Sequence, residues 1–506
     1  MNFLIALFLG TASAFAFEPV ALSPLLVLAI AALCELVSRA PSIRRALLIG
    51  WGFGLGQFCV GLNWIATAFT FQSAMPAWLG WLAVVLVSLY LALYPMLAVG
   101  LAWRFGRGRR VALVLALAGG WAISEWLRAA IFTGFPWNPL GVVLVDTPLI
   151  RASGAVGTYG LSALVAMMGG ALWLAARREG KTAIILLIPA LVLAIAPPVP
   201  RMSHGRIGPV RIVQPNIGQE DKWLPGFDRI AAEQLSKLSI AGRPTSELVF
   251  WPEAAVTDPL EDGRAGAEPF ATDQRLQATR TLGPNDLLLT GGLSFTSRNR
   301  QTVDGATNSV FVLAPLGRVI GRYDKAHLVP YGEYLPLRPL LSAIGLSRLA
   351  PGDLDFAPGP GPRTLTLPGN WGKVGVQICY EIIFSGEVVD RANRPDFLFN
   401  PSNDAWFGRW GPPQHLAQAR LRAAEEGLPI IRSTPTGISA LIGPDGALIA
   451  SLPWRKAGTI RGTMPAPLLG LTLFARVGNA IPLSLGFLLV LLAIALDRRR
   501  RYSAAI

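Results

Sequence analysis

Three residue types suited to covalent catalysis occur in the second half of this chain, each at a strand-to-loop junction. Glu253 closes VFWPE, Lys325 follows GRYD, and Cys379 lies in VGVQICYEIIF. A thiol has a pKa of about 8.5, so only a few per cent is the nucleophilic thiolate at pH 7. It needs a base to take its proton and a cation to bind negative charge, and Glu253 and Lys325 are residues of those types. A buried strand that stops at a cleft presents such a side chain on rigid backbone. At that edge the local dielectric falls, which raises a carboxyl pKa toward the range of a general base. Lys325 sits in YDKAHLVPYGEYLP, whose tyrosines, prolines and second carboxylate, Glu333, are the composition of an ordered functional loop.

The elements that must position these residues lie within 199–465, a stretch opened by the proline-rich APPVPR. Strand-like runs recur at GPVRIVQ, ELVFWPE, DLLLTGGLS, NSVFVLAP, KVGVQICY, DFLFNPS and LPIIRST, and helical stretches fall near 226–240 and 413–426. Strands alternating with helices predict a layered α/β domain. The run VFVLAPLGRVIG reads as a hairpin leading to Lys325. No glycine-rich phosphate loop is present, and His204, His327 and His415 are not at metal-ligand spacing. Of the cysteines, Cys34 and Cys59 lie in apolar runs, so neither a disulfide framework nor a thiolate cluster is expected. No cofactor and no metal are expected.

The remainder is too apolar for water. Over 506 residues, 52% are hydrophobic and 15% charged, with mean hydropathy +0.45, which predicts a polytopic α-helical membrane protein. Spans read at 3–17, 20–38, 46–70, 78–103, 111–131, 157–177 and 182–198, with a further one at 468–496, about eight in all. The first is read as a retained helix, since no lysine or arginine precedes its apolar run. The formal charge of +14 resides in clusters between spans, a topological pattern and not one for nucleic acid. Basic loops follow the second, fourth and sixth spans, and Arg498 to Arg501 follow the last, so both termini are expected in the cytoplasm and 199–465 outside. Three parts result: a membrane domain over 1–198, the outer domain over 199–465, and a spanning helix with basic tail over 466–506. The loop TGFPWNPLGVV, apolar but broken by glycine and proline, reads as re-entrant or interfacial. Glu125 and Arg128 before it share a helical face, as an ion pair or as lining for lipid access.

The order WPE, YDKAHLVPYGE, ICYE resembles the Glu-Lys-Cys signature of the carbon–nitrogen hydrolase, or nitrilase, superfamily. With its eight-span frame, essentially the whole chain resembles the apolipoprotein N-acyltransferase family, the membrane-bound branch of that superfamily. The resemblance implies an αββα sandwich in which Glu253 is the general base, Lys325 stabilises the oxyanion and Cys379 is acylated. It implies Glu333 as an assisting carboxylate, and Trp223, Tyr380 and Glu381 as further positions that bind or position substrate. Its substrates would be a membrane phospholipid as acyl donor and, as acceptor, the α-amino group of the S-diacylglyceryl cysteine that begins a diacylated apolipoprotein. Its location would be the bacterial cytoplasmic (inner) membrane, with the catalytic domain on the periplasmic side. Residues 404–411, DAWFGRWG, are expected to form an aromatic mobile lid. Two other readings keep parts of the pattern: a membrane-tethered amidase hydrolysing a small amide, and a transporter or receptor with a ligand-binding outer domain. The scarcity of charges inside the spans speaks against transport.

Overall fold

The protein, in the form of a computed structural model, is described over residues 1–71, 76–222, 226–240, 246–343 and 354–503. Its strands are β1 Arg206–Gln214, β2 Leu248–Phe250, β3 Pro259–Asp262, β4 Leu287–Thr296, β5 Gly305–Ala314, β6 Arg318–Asp324, β7 Thr364–Thr366, β8 Lys373–Val376, β9 Phe397–Pro401, β10 Ile430–Ser433, β11 Ala440–Ile442, β12 Leu448–Ser451 and β13 Gly458–Pro465. One sheet has the order β13-β1-β2-β4-β5-β6 with β3 beside β4, and the other β12-β11-β10-β9-β8-β7. Each is parallel at its centre, β1-β2-β4 and β8-β9-β10, and antiparallel toward its edges.

Alternation along the strands stacks these sheets. Val210, Ile212, Leu248, Phe250, Leu287, Leu289, Val310 and Val312 meet Val374, Val376, Phe397, Phe399 and Ile431 of the other sheet. The intervening Val213, Val249, Leu288, Phe311 and Leu313 point away, onto Leu235 and Ala278 of helices Phe227–Ser239 and Glu268–Thr279. On the far face of the second sheet, Leu398, Ile430, Ala440 and Ile442 pack on Leu416, Ala419 and Ala423 of helix Gly411–Glu426. Each fully buried side chain of this size is worth roughly 1.5–3 kcal/mol. A register slip of one residue would turn a whole strip of them outward. The result is an αββα sandwich, as expected.

Every stretch expected to span contains a helix, that over 468–496 reaching its long helix only at Ala480, but helix length does not settle how many cross. Trp78–Gly106, Arg110–Ala130, Pro148–Ala176 and Ala480–Arg498 are long and apolar enough to cross a membrane, and Ile43–Gly61 with Trp64–Phe71, bent by 43°, makes a fifth if counted as one span. Asn2–Ala14, Pro24–Ser38 and Gly180–Ile195 are apolar but shorter than the ~20 residues that a ~30 Å hydrocarbon layer asks of a straight helix. Large apolar side chains stand exposed along these helices, among them Leu86, Ile184, Leu191, Phe487 and Leu491, as a surface facing acyl chains requires.

The sandwich is seated on this bundle. Phe58, Leu62, Trp64, Tyr94 and Trp137 join the apolar cluster beneath helix Gly411–Glu426. Helix Pro148–Ala176 breaks at Gly157, whose φ of +69° is left-handed. The break leaves the Thr158 amide without its helical partner, and Glu425 of the sandwich supplies one. Its Oε1 accepts from Thr158 N at 2.6 Å, Thr158 Oγ1 at 2.7 Å and Ser385 Oγ at 2.8 Å.

Candidate active site

Cys379 stands three residues beyond β8, at the start of a 3₁₀ turn over Cys379–Ile383. Its φ of +52° is uncommon for a residue with a Cβ and persists only where neighbours over-determine it. Glu381 is the chief constraint. Its Oε2 accepts from Ile378 N at 2.6 Å, while Oε1 accepts from Tyr323 Oη at 2.8 Å, Ala326 N at 2.8 Å and His327 N at 3.1 Å. One buried carboxylate thus pins the cysteine turn to the loop that carries Lys325.

Glu253 leaves the end of β2 in a turn that runs against β4. At Gly291 a Cβ would come 2.4 Å from Ala254 N and 2.7 Å from Glu253 Cα, so any larger residue there would push Glu253 from its place. Lys325 ends the β5–β6 hairpin, and its ammonium is 1% exposed. Nζ lies 2.9 Å from Glu333 Oε1 and 3.5 Å from Glu253 Oε1. Asn308 Nδ2 donates to the same two oxygens, at 2.9 and 2.8 Å, and Glu333 Oε2 accepts from Val329 N at 2.8 Å. Two buried acceptors, Glu253 Oε2 and Asn308 Oδ1, have no hydrogen-bond partner among the described residues.

The electrostatics follow from this packing. Burial alone would lower the Lys325 pKa, but Glu333 and then Glu253 more than reverse it, so the amine is held as a cation. Burial raises the Cys379 pKa well above the usual thiol range, Glu253 raises it further, and Lys325 opposes both. Cys379 therefore rests as the neutral thiol.

Behind the cysteine lies a second charged cluster. His415 Nε2 donates to the Cys379 carbonyl at 3.1 Å, and Nδ1 lies 2.9 Å from Asp404 Oδ1 and 3.0 Å from Arg432 Nη2. Arg432 also donates to Asp404 Oδ2 at 2.6 Å and to Asn400 Oδ1. All three ionisable side chains, Asp404, His415 and Arg432, are fully buried. Burial would raise the Asp404 carboxyl, but Arg432 and His415 together hold it below its ordinary value. Burial and then Arg432 lower the His415 pKa.

The helical part supplies one wall. Tyr380 Oη donates to Gly134 O and His327 Nε2 to Thr133 O, both at 2.8 Å, and the His327 ring stacks on Phe384 with centroids 4.0 Å apart. The loop that carries these carbonyls is held by the pair read as partners. Arg128 Nη1 donates to Phe135 O at 3.0 Å and Trp137 O at 2.7 Å, and Glu125 Oε1 accepts from Leu140 N at 2.8 Å. No ion pair joins Glu125 to Arg128 among the described residues. They serve the loop's backbone instead, because glycine and proline leave it without helical hydrogen bonds.

The structure thus brings together Glu253, Lys325, Glu333, Cys379, Tyr380 and Glu381; Trp223 lies outside the described residues. In the expected lid, Asp404 is buried and Phe407 packs on Trp64 and Trp137, ring centroids 4.5 and 5.6 Å away. Asn308, Asp404, His415 and Arg432 are additions to the sequence reading. Their one signal is a polar residue inside or beside a strongly apolar run.

An αββα sandwich with a thiol on a strained turn facing a carboxylate–lysine pair is the architecture of carbon–nitrogen hydrolases, and residues 209–472 match the family model described as "Carbon-nitrogen hydrolase". Residues 9–171 match another, "Apolipoprotein N-acyltransferase N-terminal domain". Apolipoprotein N-acyltransferase of Ralstonia nicotianae is 36% identical over 518 residues, covering 99% of this chain and 94% of that one. The Rhodopseudomonas palustris enzyme of the same name is 33% identical, covering 98% and 95%, and that of Rhizobium leguminosarum bv. trifolii is 35% identical, covering 83% and 80%. The chain belongs to the apolipoprotein N-acyltransferase family, acyltransferases of the carbon–nitrogen hydrolase superfamily.

Proposed function

We propose that this chain transfers a fatty acyl group from a membrane phospholipid, through a thioester on Cys379, to the α-amino group of the N-terminal S-diacylglyceryl cysteine of apolipoproteins. The observation that carries the reading is the buried thiol on its strained turn, within electrostatic reach of both Glu253 and Lys325. In the first half-reaction Cys379 Sγ attacks the donor's ester carbonyl while its proton passes to Glu253. Lys325 offsets charge on the tetrahedral oxygen, an effect typically worth ~2.7–4 kcal/mol of barrier for one donor. Collapse expels the lysophospholipid alkoxide, which takes the proton back from Glu253. In the second half the amine attacks the thioester, Glu253 accepts a proton from the nitrogen, and the leaving thiolate recovers it. Glu333 and Asn308 fix the lysine, and Tyr380 and Glu381 fix the turn. Trp223 is assigned to substrate positioning by its place in the sequence.

The membrane frame fits a lipid donor. Moving a chain of ~16 carbons into water would cost on the order of 12 kcal/mol at ~0.8 per CH₂. A sandwich seated on helices lets that chain stay among apolar side chains, and excluding water favours the amine over hydrolysis. In this reading eight spans hold 199–465 on the periplasmic side of the cytoplasmic membrane with both termini in the cytoplasm, as the arginine distribution directs. Intact mass after incubation with phospholipid alone tests the scheme. An acyl-sized increment is expected, absent from Cys379→Ala and discharged by a diacylated lipopeptide. Discharge by water at an equal rate would mean a hydrolase, and no increment with activity kept in the variant would sink the covalent scheme.

A further inference from the structure

At the opposite end of the helical bundle, arginines converge on one cavity. Arg39, Arg107, Arg109, Arg110 and Arg177 line a space of about 990 Å³ together with Trp103 and Trp173. Helix Arg110–Ala130 begins at this cavity and leads at its other end into the loop that touches Tyr380 and His327. Its 21 residues, at about 1.5 Å each, separate the two by ~30 Å, one hydrocarbon thickness.

Arginines at one end of a bundle are by themselves a topological signal. Here they do more than face water, since three loops far apart in sequence aim them into a single space. Glu35 pairs with Arg39 and Arg177, and Glu179 pairs with Arg110 at 2.7 Å. Asp497 accepts from Gly108 N at 2.9 Å. Arg107 and Arg109 enter no ion pair among the described residues, and the Arg107 guanidinium lies 4.3 Å over the Trp103 ring. Both indoles are fixed, Trp103 Nε1 donating to Ala40 O at 2.8 Å and Trp173 Nε1 to Glu35 Oε2 at 2.7 Å. A rigid aromatic floor, unspent guanidinium forks and a position at headgroup depth suit a phosphate oxygen pair.

We infer that this cavity binds the phosphate of an anionic lipid headgroup from the leaflet opposite the candidate active site, separately from any acyl donor. The shared chemistry is phosphate recognition by Arg107 and Arg109, for which free phosphate is the other source. The full chain in phosphatidylcholine nanodiscs is incubated with a diether phosphatidylglycerol, which has no ester to react, and retained lipid is counted by native mass spectrometry. Selective retention of phosphatidylglycerol is expected, at least tenfold lower in Arg107→Gln/Arg109→Gln. It should be unchanged in Arg104→Gln/Arg178→Gln, which removes equal charge from outside the cavity. Calorimetry with inorganic phosphate separates the sources: saturable binding lost only in the first double variant, without lipid retention, would assign the same chemistry to free phosphate. Neither ligand bound, or equal loss in both double variants, would overturn the inference. Thermal unfolding of each variant identifies misfolding, and Arg107→Lys/Arg109→Lys then repeats the comparison, keeping charge but losing the forks, with weakened retention expected.

Discussion

Two buried charged clusters flank Cys379 and are built to opposite ends. In front, Lys325, Glu333, Glu253 and Asn308 share one set of hydrogen bonds yet leave Glu253 Oε2 and Asn308 Oδ1 without a partner among the described residues. Behind, both oxygens of Asp404 and both nitrogens of His415 are engaged, and among the described residues Arg432 Nε alone is left over in this cluster. A buried acceptor with nothing to accept costs free energy in the resting protein. It is tolerated where an incoming proton or ligand will satisfy it, whereas a closed network only holds geometry. In the proposed scheme the front cluster exchanges a proton, and the rear one keeps the Cys379 carbonyl, and with it the turn, in place.

The largest effect should come from Lys325→Met, which strands two carboxylates in the front cluster. Losing one partner of a buried ion pair destabilises by about 3–5 kcal/mol, and losing charge stabilisation in the transition state slows acylation by ~10²–10³. Acylation rate and unfolding midpoint, measured together, should both fall. Intact acylation would show that the front cluster is structural and erase its contrast with the rear.

Asp404→Asn should act chiefly through stability and in a defined pH window. The carboxyl pKa is depressed in the folded chain, so its contribution is fully present above the unfolded value of about 3.9 and lost as pH falls through the folded value. The native chain should therefore lose stability over that acid range, and the variant should show a flatter profile from a lower plateau. Once folded, the variant should alkylate at Cys379 with a lower pH midpoint, because the Asp404 charge adds to the rise of the thiol pKa. An unmoved midpoint would confine the rear cluster to holding the turn.

Tyr380→Phe should be mildest. It deletes the bond to Gly134 O at about 1 kcal/mol, roughly a fivefold fall in acylation rate with the unfolding midpoint scarcely moved. A loss as large as that of Lys325→Met would place the wall contact on a par with the front cluster.

What was legible in the sequence follows the same division. Glu253, Lys325 and Cys379 could be found because each is a charged or nucleophilic type at a strand-to-loop junction, a local and visible contrast. The sandwich could be found because apolar strand-like runs such as ELVFWPE and DLLLTGGLS, alternating with helical stretches, are also local. Asn308 was hidden inside NSVFVLAP, read as strand, and Arg432 inside LPIIRST, because a strand pattern does not say that a polar side chain will meet a partner tens of residues away. Glu125 and Arg128 misled for a related reason. Helical spacing brought them together, but the nearby loop's unpaired carbonyls and amides competed for them and won. Nor was the number of crossings legible, since helices as short as Pro24–Ser38 depend on tilt, flanks and neighbours.

The contacts from Tyr380 to Gly134 and from His327 to Thr133 bear on the order of assembly. A sandwich that folded ahead of its helices would hold all three candidate side chains but lack the surface against which the cysteine turn is braced. In the proposed scheme, competence for transfer is then acquired only on insertion into the bilayer, where donor lipid and acceptor already are, so a chain waiting in water stays idle.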